Sequence, residues 1–312
     1  MSVTSALVRI RRSLSCLFAL SRTPHALLDL ATPAAAAVLW LDGLPPLRTI
    51  LLGALAAFAG YTSVYALNDI VDCREDRKRL ALGCRDYGDY LDATLIRHPI
   101  AECVISMRGA VAWAGTWGAA ALAGAILLNP VCALIFAGAF ALEAGYCLLC
   151  RVTPLRTLIS GVVKSAGPLA AVFAVDPSPE PWRLALLFAW LFLWEIGGQN
   201  IPSDWSDIDE DRVLGHKTLP VRLREKTASR LALLTVCASV AASFFLPRES
   251  SLGATALYAA CSLAAGTVLL LAPALMLVRT RARAEALVVF NRASWYPVSM
   301  LAAAAARAAL RA

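Results

Sequence analysis

The stretch GALAAFAGYTSVYALNDIVDCRED, residues 53–76, joins two segments of opposite character. Through Leu67 it carries no charge, and then Asp69, Asp72, Glu75 and Asp76 follow within about two helical turns. Taken with the apolar residues before it, the run is long enough to cross a bilayer. A membrane helix that ends in a cluster of carboxylates is either an ordinary solvated helix end or a functional site.

The rest of the chain shares this texture. Of its 312 residues 59% are hydrophobic and only 16% charged, and the mean hydropathy is +0.65. Soluble proteins carry roughly 25% charged residues. The apolar residues come in blocks that predict nine spans, at about 26–41, 48–68, 104–127, 131–150, 155–175, 183–201, 230–247, 253–277 and 286–308. A backbone in lipid must satisfy its own hydrogen bonds, so the spans are helices and the fold is an all-α, polytopic membrane bundle. Its Ala- and Gly-rich segments allow close helix packing. The whole of 1–312 reads as one membrane-embedded domain.

The net charge of +7 follows the topology. Arg9, Arg11, Arg12 and Arg22 precede the first span. Arg74, Arg77, Lys78, Arg79, Arg85 and Arg97 follow the second, and Arg151 and Arg156 the fourth. Arg212, Lys217, Arg222, Arg224, Lys226 and Arg230 follow the sixth, and Arg279, Arg281 and Arg283 the eighth. The loops between are poor in basic residues. This alternation places the N-terminus and the basic loops in the cytoplasm and the C-terminus outside. It also accounts for the basic residues without nucleic acid, which is excluded as a partner; the partner surface is the lipid bilayer. Residues 1–25 read as an interfacial cytoplasmic lead-in rather than a signal peptide. The nine cysteines are scattered in or beside apolar segments, and the lone CxxC of Cys147 and Cys150 reads as packing.

The two longest loops, 70–103 and 202–229, both fall on the cytoplasmic side, and long loops in compact bundles are often functional. Asp69, Asp72 and Asp76 fall within roughly 60° of arc on a helix. Asp204, Asp207 and Asp211, in SDWSDIDEDR at 203–212, repeat the same spacing at the end of another span. Carboxylates on one face repel unless a cation lies between them. Two such faces meeting across a bundle form a pair of Mg²⁺ sites, since magnesium is usually held by one or two carboxylates together with substrate phosphates. The matching substrate has a diphosphate head at the membrane surface and an apolar tail in the bundle, as a polyprenyl diphosphate does. A transporter is the rival class, but transporters place ionisable groups near the midplane and often show inverted repeats, whereas these clusters lie at one face in the same orientation.

In these motifs the chain resembles the UbiA superfamily of intramembrane prenyltransferases. The family's first acidic motif is matched by NDIVDCRED at Asn68, Asp69, Asp72 and Asp76, and its second by DIDEDRVLGHKTLPV at Asp207, Asp211, Gly215, Lys217 and Thr218. SRTPH at 21–25, HPIAECVIS at 98–106 and GYCLLCRVTPLRTL at 145–158 extend the likeness over most of the chain. The sequence departs from the family after the first motif: the gap is longer, and His98 stands where an arginine is usual.

The resemblance implies Mg²⁺-dependent transfer of a prenyl group from a polyprenyl diphosphate to a small acceptor. By family analogy the acceptor is an aromatic or quinone-precursor molecule. A sugar phosphate, a glycerol lipid, a tetrapyrrole or an intramolecular cyclisation stay open. Asp69, Asp72 and Asp76 would hold one Mg²⁺, and Asp204, Asp207 and Asp211 the other. Asp69, Asp72, Asp76, Asp207, Asp211 and Lys217 form the expected catalytic set, with Lys217 on the diphosphate. Asn68, Arg77, Tyr146, Arg151, Asp204, Glu195 and Gln199 are the expected substrate contacts. Tyr61, Tyr65, Trp190 and Trp194 are either aromatic walls for an allylic cation or interface anchors. Glu143, Lys164 and Glu195 are ionisable groups within spans, and Glu143 with Lys164 is a candidate pair. Gly197, Gly198 and Pro202 predict a loosened helix end at 197–202.

Overall fold

The computed structural model describes residues 15–82, 96–247 and 252–310. The lead-in arginines Arg9, Arg11 and Arg12, and the centre of the extended loop with Arg85, lie outside them. Among the described residues the chain is all helix. Helices α1 (Thr23–Asp29) and α2 (Ala31–Leu41) make the first crossing and α3 (Leu47–Ala81) the second. Next come α4 (Met107–Leu128), α5 (Pro130–Leu148), α6 (Arg156–Val175) and α7 (Pro181–Trp194). A π-helical turn, Glu195–Asn200, joins α7 to α8 (Ile201–Ser206), and α9 (Ile208–Leu214) and α10 (Leu219–Ser243) follow. The chain ends in α11 (Leu252–Gly266), a second π turn (Thr267–Leu271), α12 (Ala272–Thr280), α13 (Arg283–Ala293) and α14 (Tyr296–Ala309).

Helices cover all nine predicted spans, and seven are long and apolar enough to cross a membrane. The other two differ for local reasons. Helix α10 opens on Arg222, Arg224, Lys226 and Arg230 and has a kink at Arg224, where φ is +59°. The last predicted span is divided at Ser294 and Trp295 into α13 and α14.

Local sequence explains the helix ends nearest the loops. Ser106 caps α4, its hydroxyl accepting from the Gly109 amide at 3.1 Å. Asn129 caps α5 ahead of Pro130, accepting from the Val131 amide at 2.9 Å, while its own amide donates to Phe173 O. Helix α3 has 35 residues and runs about 52 Å, well beyond a hydrocarbon core of about 30 Å. Its C-terminal end therefore leaves the apolar layer, and this end carries the first acidic motif.

Polarity is reversed relative to a soluble protein. Leu51, Leu55, Leu134 and Val268 are exposed, while Asp69, Glu143, Glu195 and Gln199 are buried. Large exposed apolar side chains are what lipid requires. The main core packs Trp190, Trp194, Tyr258, Tyr296 and Leu270 between α2, α7, α10 and the C-terminal helices. Away from the acidic motifs, Arg183 donates to the carbonyls of Leu39, Trp40 and Leu246, Trp40 donates to Asp176 at 2.9 Å, and Arg307 pairs with Asp42. These contacts tie the basic-poor loops and the end of α14 together at one end of the bundle. Both acidic motifs lie at the other.

Candidate active site

The projecting end of α3 presents Asn68, Asp69, Asp72, Asp76 and Arg79. The second motif is built on a break between helices. Asp207 leaves the helical conformation (φ −105°, ψ +16°) between α8 and α9, and Gly215 ends α9 at φ +74°, a left-handed C-cap that glycine adopts without strain. That turn lets the His216 amide bond Asp211 O at 2.9 Å and the Lys217 amide bond Cys150 O at 2.7 Å. The second motif is thereby held against the loop after α5.

Arginines join the two motifs. Arg79 donates to Asp207 Oδ2 and Asp211 Oδ1, each at 2.6 Å. Arg97 reaches the same Asp207 oxygen at 2.8 Å. Arg156 donates to Asp204 Oδ1 at 2.8 Å, with its guanidinium carbon 4.5 Å from the Tyr146 ring centroid. Burial alone would raise the Asp207 carboxyl, but Arg97 and Arg79 outweigh it and hold it well below the usual carboxylate range. On the first motif, His98 Nδ1 lies 3.0 Å from Asp76 Oδ2 and 3.8 Å from Asp69 Oδ1. Burial would depress that imidazole; the neighbouring Asp69 and Asp76 carboxylates lift it above its usual value. Glu75 bridges Arg151 at 2.6 Å and His216 at 3.3 Å at the rim.

These residues surround a polar cavity of about 140 Å³, lined by Asp72, Asp76, Arg79, Arg97, His98 and Asp207 among others. Arg22, Asn68, Tyr146 and Ser203 line this cavity and also a much larger one, of about 820 Å³, that runs into the bundle between α1–α3, α4–α6 and the π-helical turn Glu195–Asn200. The polar cavity is thus the mouth of the larger one. The larger cavity is walled mainly by Ala, Leu, Ile, Val and Gly, with Tyr61, Tyr65 and Phe136.

The residue set fits a divalent cation. Asp69, Asp76 and His98 offer ligand atoms all within 4.8 Å of one another. One buried oxygen on each of Asp69, Asp204 and Asp211 has no hydrogen-bond partner. Unpaired, buried carboxylate oxygens are the donors that Mg²⁺ takes. The two motifs are not equivalent, however: the first faces a histidine, and the second already carries three guanidinium groups.

The other expected residues are distributed unevenly. Tyr146 and Asn68 stand where mouth and cavity meet, and Asn68 donates to Glu143 Oε1 at 2.8 Å. Glu195 and Gln199 line the large cavity. Lys217 directs its amine to Val152 O at 3.2 Å, Arg151 pairs with Glu75 and Arg77 is exposed; none of the three lines the mouth. Trp190 and Trp194 are in the packed core, donating to Tyr296 Oη and Ala293 O, while Tyr61 and Tyr65 line the cavity. Glu143 and Lys164 do not pair with each other. Lys164 binds Asp29 at 2.6 Å and Tyr65 at 3.1 Å, and Tyr65 also donates to Asp29. Cys147 and Cys150 are free thiols.

Sequence reasoning passed over Asp29 and left Arg22, Arg79, Arg97 and Arg156 as topology signals. Asp29 had a signal, being a carboxylate inside a predicted span. Arg79 had one too, three residues after Asp76 and so on its helix face.

Fold and site together define a polytopic membrane protein with an ionised mouth over an apolar cavity. The chain belongs to the UbiA prenyltransferase family, whose sequence profile matches residues 30–305, and it is a prenyltransferase. No curated protein matches the sequence. Among solved structures it is similar to an apo UbiA homolog from Aeropyrum pernix K1, with TM-score 0.68 and 23% identity over 89% of this chain and 96% of that one. It is similar to a UbiA homolog from Archaeoglobus fulgidus bound to GPP and Mg²⁺, with TM-score 0.61 and 18% identity over 88% of this chain and 99% of that one. A digeranylgeranylglyceryl phosphate synthase is also similar, with TM-score 0.66 and 16% identity over 95% of this chain and 98% of that one.

Proposed function

We propose that residues 1–312 act as a single membrane-embedded domain that transfers a prenyl group from a polyprenyl diphosphate to a small acceptor, with Mg²⁺ as cofactor. The observation that carries this reading is the continuity of a charged mouth with a largely apolar cavity through Asn68 and Tyr146. A diphosphate head fits the first and an isoprenoid tail the second. The GPP and Mg²⁺ bound to the Archaeoglobus fulgidus homolog support the same assignment.

Asp69, Asp72 and Asp76 would hold one Mg²⁺, with His98 beside them, and Asp204, Asp207 and Asp211 the other. When bound, the metal neutralises the phosphate charge and stabilises the leaving diphosphate. The chain's own residues do the rest. Arg22, Arg79, Arg97 and Arg156 bring guanidinium charges to the mouth, where the diphosphate oxygens gain negative charge as the allylic C–O bond breaks. Tyr61, Tyr65 and Phe136 offer aromatic faces to the allylic cation in a cavity shielded from water. The acceptor is read as a small aromatic or quinone-precursor molecule. The mouth faces the cytoplasm, with the N-terminus inside, the C-terminus outside and nine crossings, as the alternation of basic loops requires.

The test is purified protein in detergent with labelled geranyl diphosphate, Mg²⁺ and a panel of acceptors, with products identified by mass spectrometry. Mg²⁺-dependent transfer to one acceptor class is expected. Binding of geranyl diphosphate with no transfer to any acceptor and no cyclised product would overturn the assignment.

A further inference from the structure

The large cavity contains a polar wall that the diphosphate does not need. It is built on the π-helical turn Glu195–Asn200. Such turns carry one extra residue and are frequent at functional sites. Gly197 shows why the turn sits where it does. A Cβ there would lie 2.1 Å from Thr235 Oγ1 and 2.5 Å from Ala232 O, so the backbone is pressed against α10. On the other side, Glu195, Gln199 and Asn200 line the cavity.

Three oxygens on this wall are buried and unpartnered: Glu195 Oε2, Gln199 Oε1 and Asn200 Oδ1. Their residues are 7%, 3% and 5% exposed. The second oxygen of Glu195 accepts from Ser160 at 2.7 Å, which fixes the carboxylate. The Gln199 amide is fixed too. Its nitrogen donates to Phe290 O at 3.3 Å and to Ser294 Oγ at 3.2 Å, and the Ser294 hydroxyl spends its own proton on Phe290 O. Flipping the amide would set oxygen against oxygen, so its acceptor atom is the one left without a partner. Leaving such atoms unpaired is costly, and a ligand that pairs them gains accordingly.

All three orphan oxygens are acceptors on the one turn Glu195–Asn200, whose Asn200 nitrogen is already spent on Tyr146 Oη at 2.9 Å. Their complement is a hydrogen-bond donor. An anionic ligand is disfavoured, because the ammonium facing it, Lys164, is already held by Asp29. We infer that the prenyl acceptor is uncharged at this end and carries a hydroxyl group, which Glu195 and Gln199 position in the cavity. The inference rests on the prenyltransferase reading for the word acceptor, but its chemistry is that of this wall alone.

Equilibrium binding in the absence of diphosphate tests it. The probes are 1-naphthol and 1-O-hexylglycerol, each against its methyl ether, and 1-naphthoate, titrated into the detergent-purified chain. At least one hydroxylated probe is expected to bind about tenfold or more tightly than its ether, and the naphthoate to bind more weakly than the naphthol. Gln199→Leu removes the oxygen and should erase most of the preference for hydroxyl over ether. Glu195→Gln keeps the Ser160 bond but turns an NH₂ toward the cavity, and should shift preference toward the ether. Circular dichroism and thermal unfolding verify that each variant is folded. Equal binding of alcohol and ether, absence of binding by either alcohol, tighter binding of the naphthoate, or an unchanged preference in both variants overturns the proposal. Geranyl diphosphate binding, measured separately, reports on the prenyltransferase reading and not on this wall.

Discussion

Arg79 reaches from the end of the second crossing to Asp211, 132 positions along the chain, and donates to its carboxylate at 2.6 Å while its other nitrogen holds Asp207. One side chain from the helix that carries the first motif thus fixes the geometry of the second. Asp211 is 1% exposed, so an uncompensated charge there cannot be rescued by water.

Arg79→Met should therefore destabilise the protein by up to about 3 kcal/mol, because the buried Asp211 carboxylate is left with His216 Nδ1 at 2.9 Å and Asp207 with Arg97. Asp211→Asn in the same chain should recover part of that loss, because the buried charge that has lost its guanidinium is removed. A double-mutant cycle of denaturation in detergent measures the coupling. Strict additivity would mean that the bridge contributes nothing to the folded state.

Metal removal should separate fold from activity. Chelation with EDTA should abolish prenyl transfer, and Mg²⁺ should restore it. Ca²⁺ should restore it poorly, since it prefers more ligands at longer distances. Asp72→Asn and Asp207→Asn should each lower the rate by at least about a hundredfold. Transfer that persists in EDTA, or full activity in both variants, would contradict the assignment of these carboxylates.

Much of the site was legible because it is periodic. Three carboxylates at spacings of three and four declare a helix face, and the second copy declares its partner. What pairs with those carboxylates was not legible. In the run Arg77, Lys78, Arg79 composition treats the three alike; only the position three residues from Asp76 turns Arg79 inward and leaves Arg77 exposed. The loosened end at 197–202 could be read from Gly197, Gly198 and Pro202, but its π geometry depends on a contact with Thr235 and Ala232 on another helix. Trp190 and Trp194 illustrate the same limit: hydropathy cannot distinguish a ring facing a cavity from one facing the core.

That contact makes Gly197 a sharp test of packing. Gly197→Ala would place a methyl 2.5 Å from the Ala232 backbone oxygen, which cannot swing away. The turn or α10 must shift, at about 1–3 kcal/mol, and Glu195 and Gln199 shift with it. Gly138→Ala, on α5 with open space around the added carbon, should instead be neutral or stabilising by up to about 1 kcal/mol. Thermal unfolding of the two variants side by side checks the contrast. Equal effects would mean that the close approach at Gly197 is absent.

The depth of the cavity predicts a limit on the donor. Gly53 lines its far part, and from Asn68 to Gly53 helix α3 rises about 22 Å. Nothing lies within 4 Å of a carbon added at Gly53, so a larger side chain there has room to enter the tail path without displacing a neighbouring helix. Gly53→Leu should leave transfer from dimethylallyl diphosphate intact, because that chain is too short to reach it. The longest donors should lose activity first, through a rise in KM as the tail meets the new side chain. Competition among dimethylallyl, geranyl, farnesyl and geranylgeranyl diphosphates, scored by mass spectrometry of products, reads this directly. A uniform loss across all four lengths would indicate damage to the mouth, and an unchanged length profile would mean that the tail runs elsewhere.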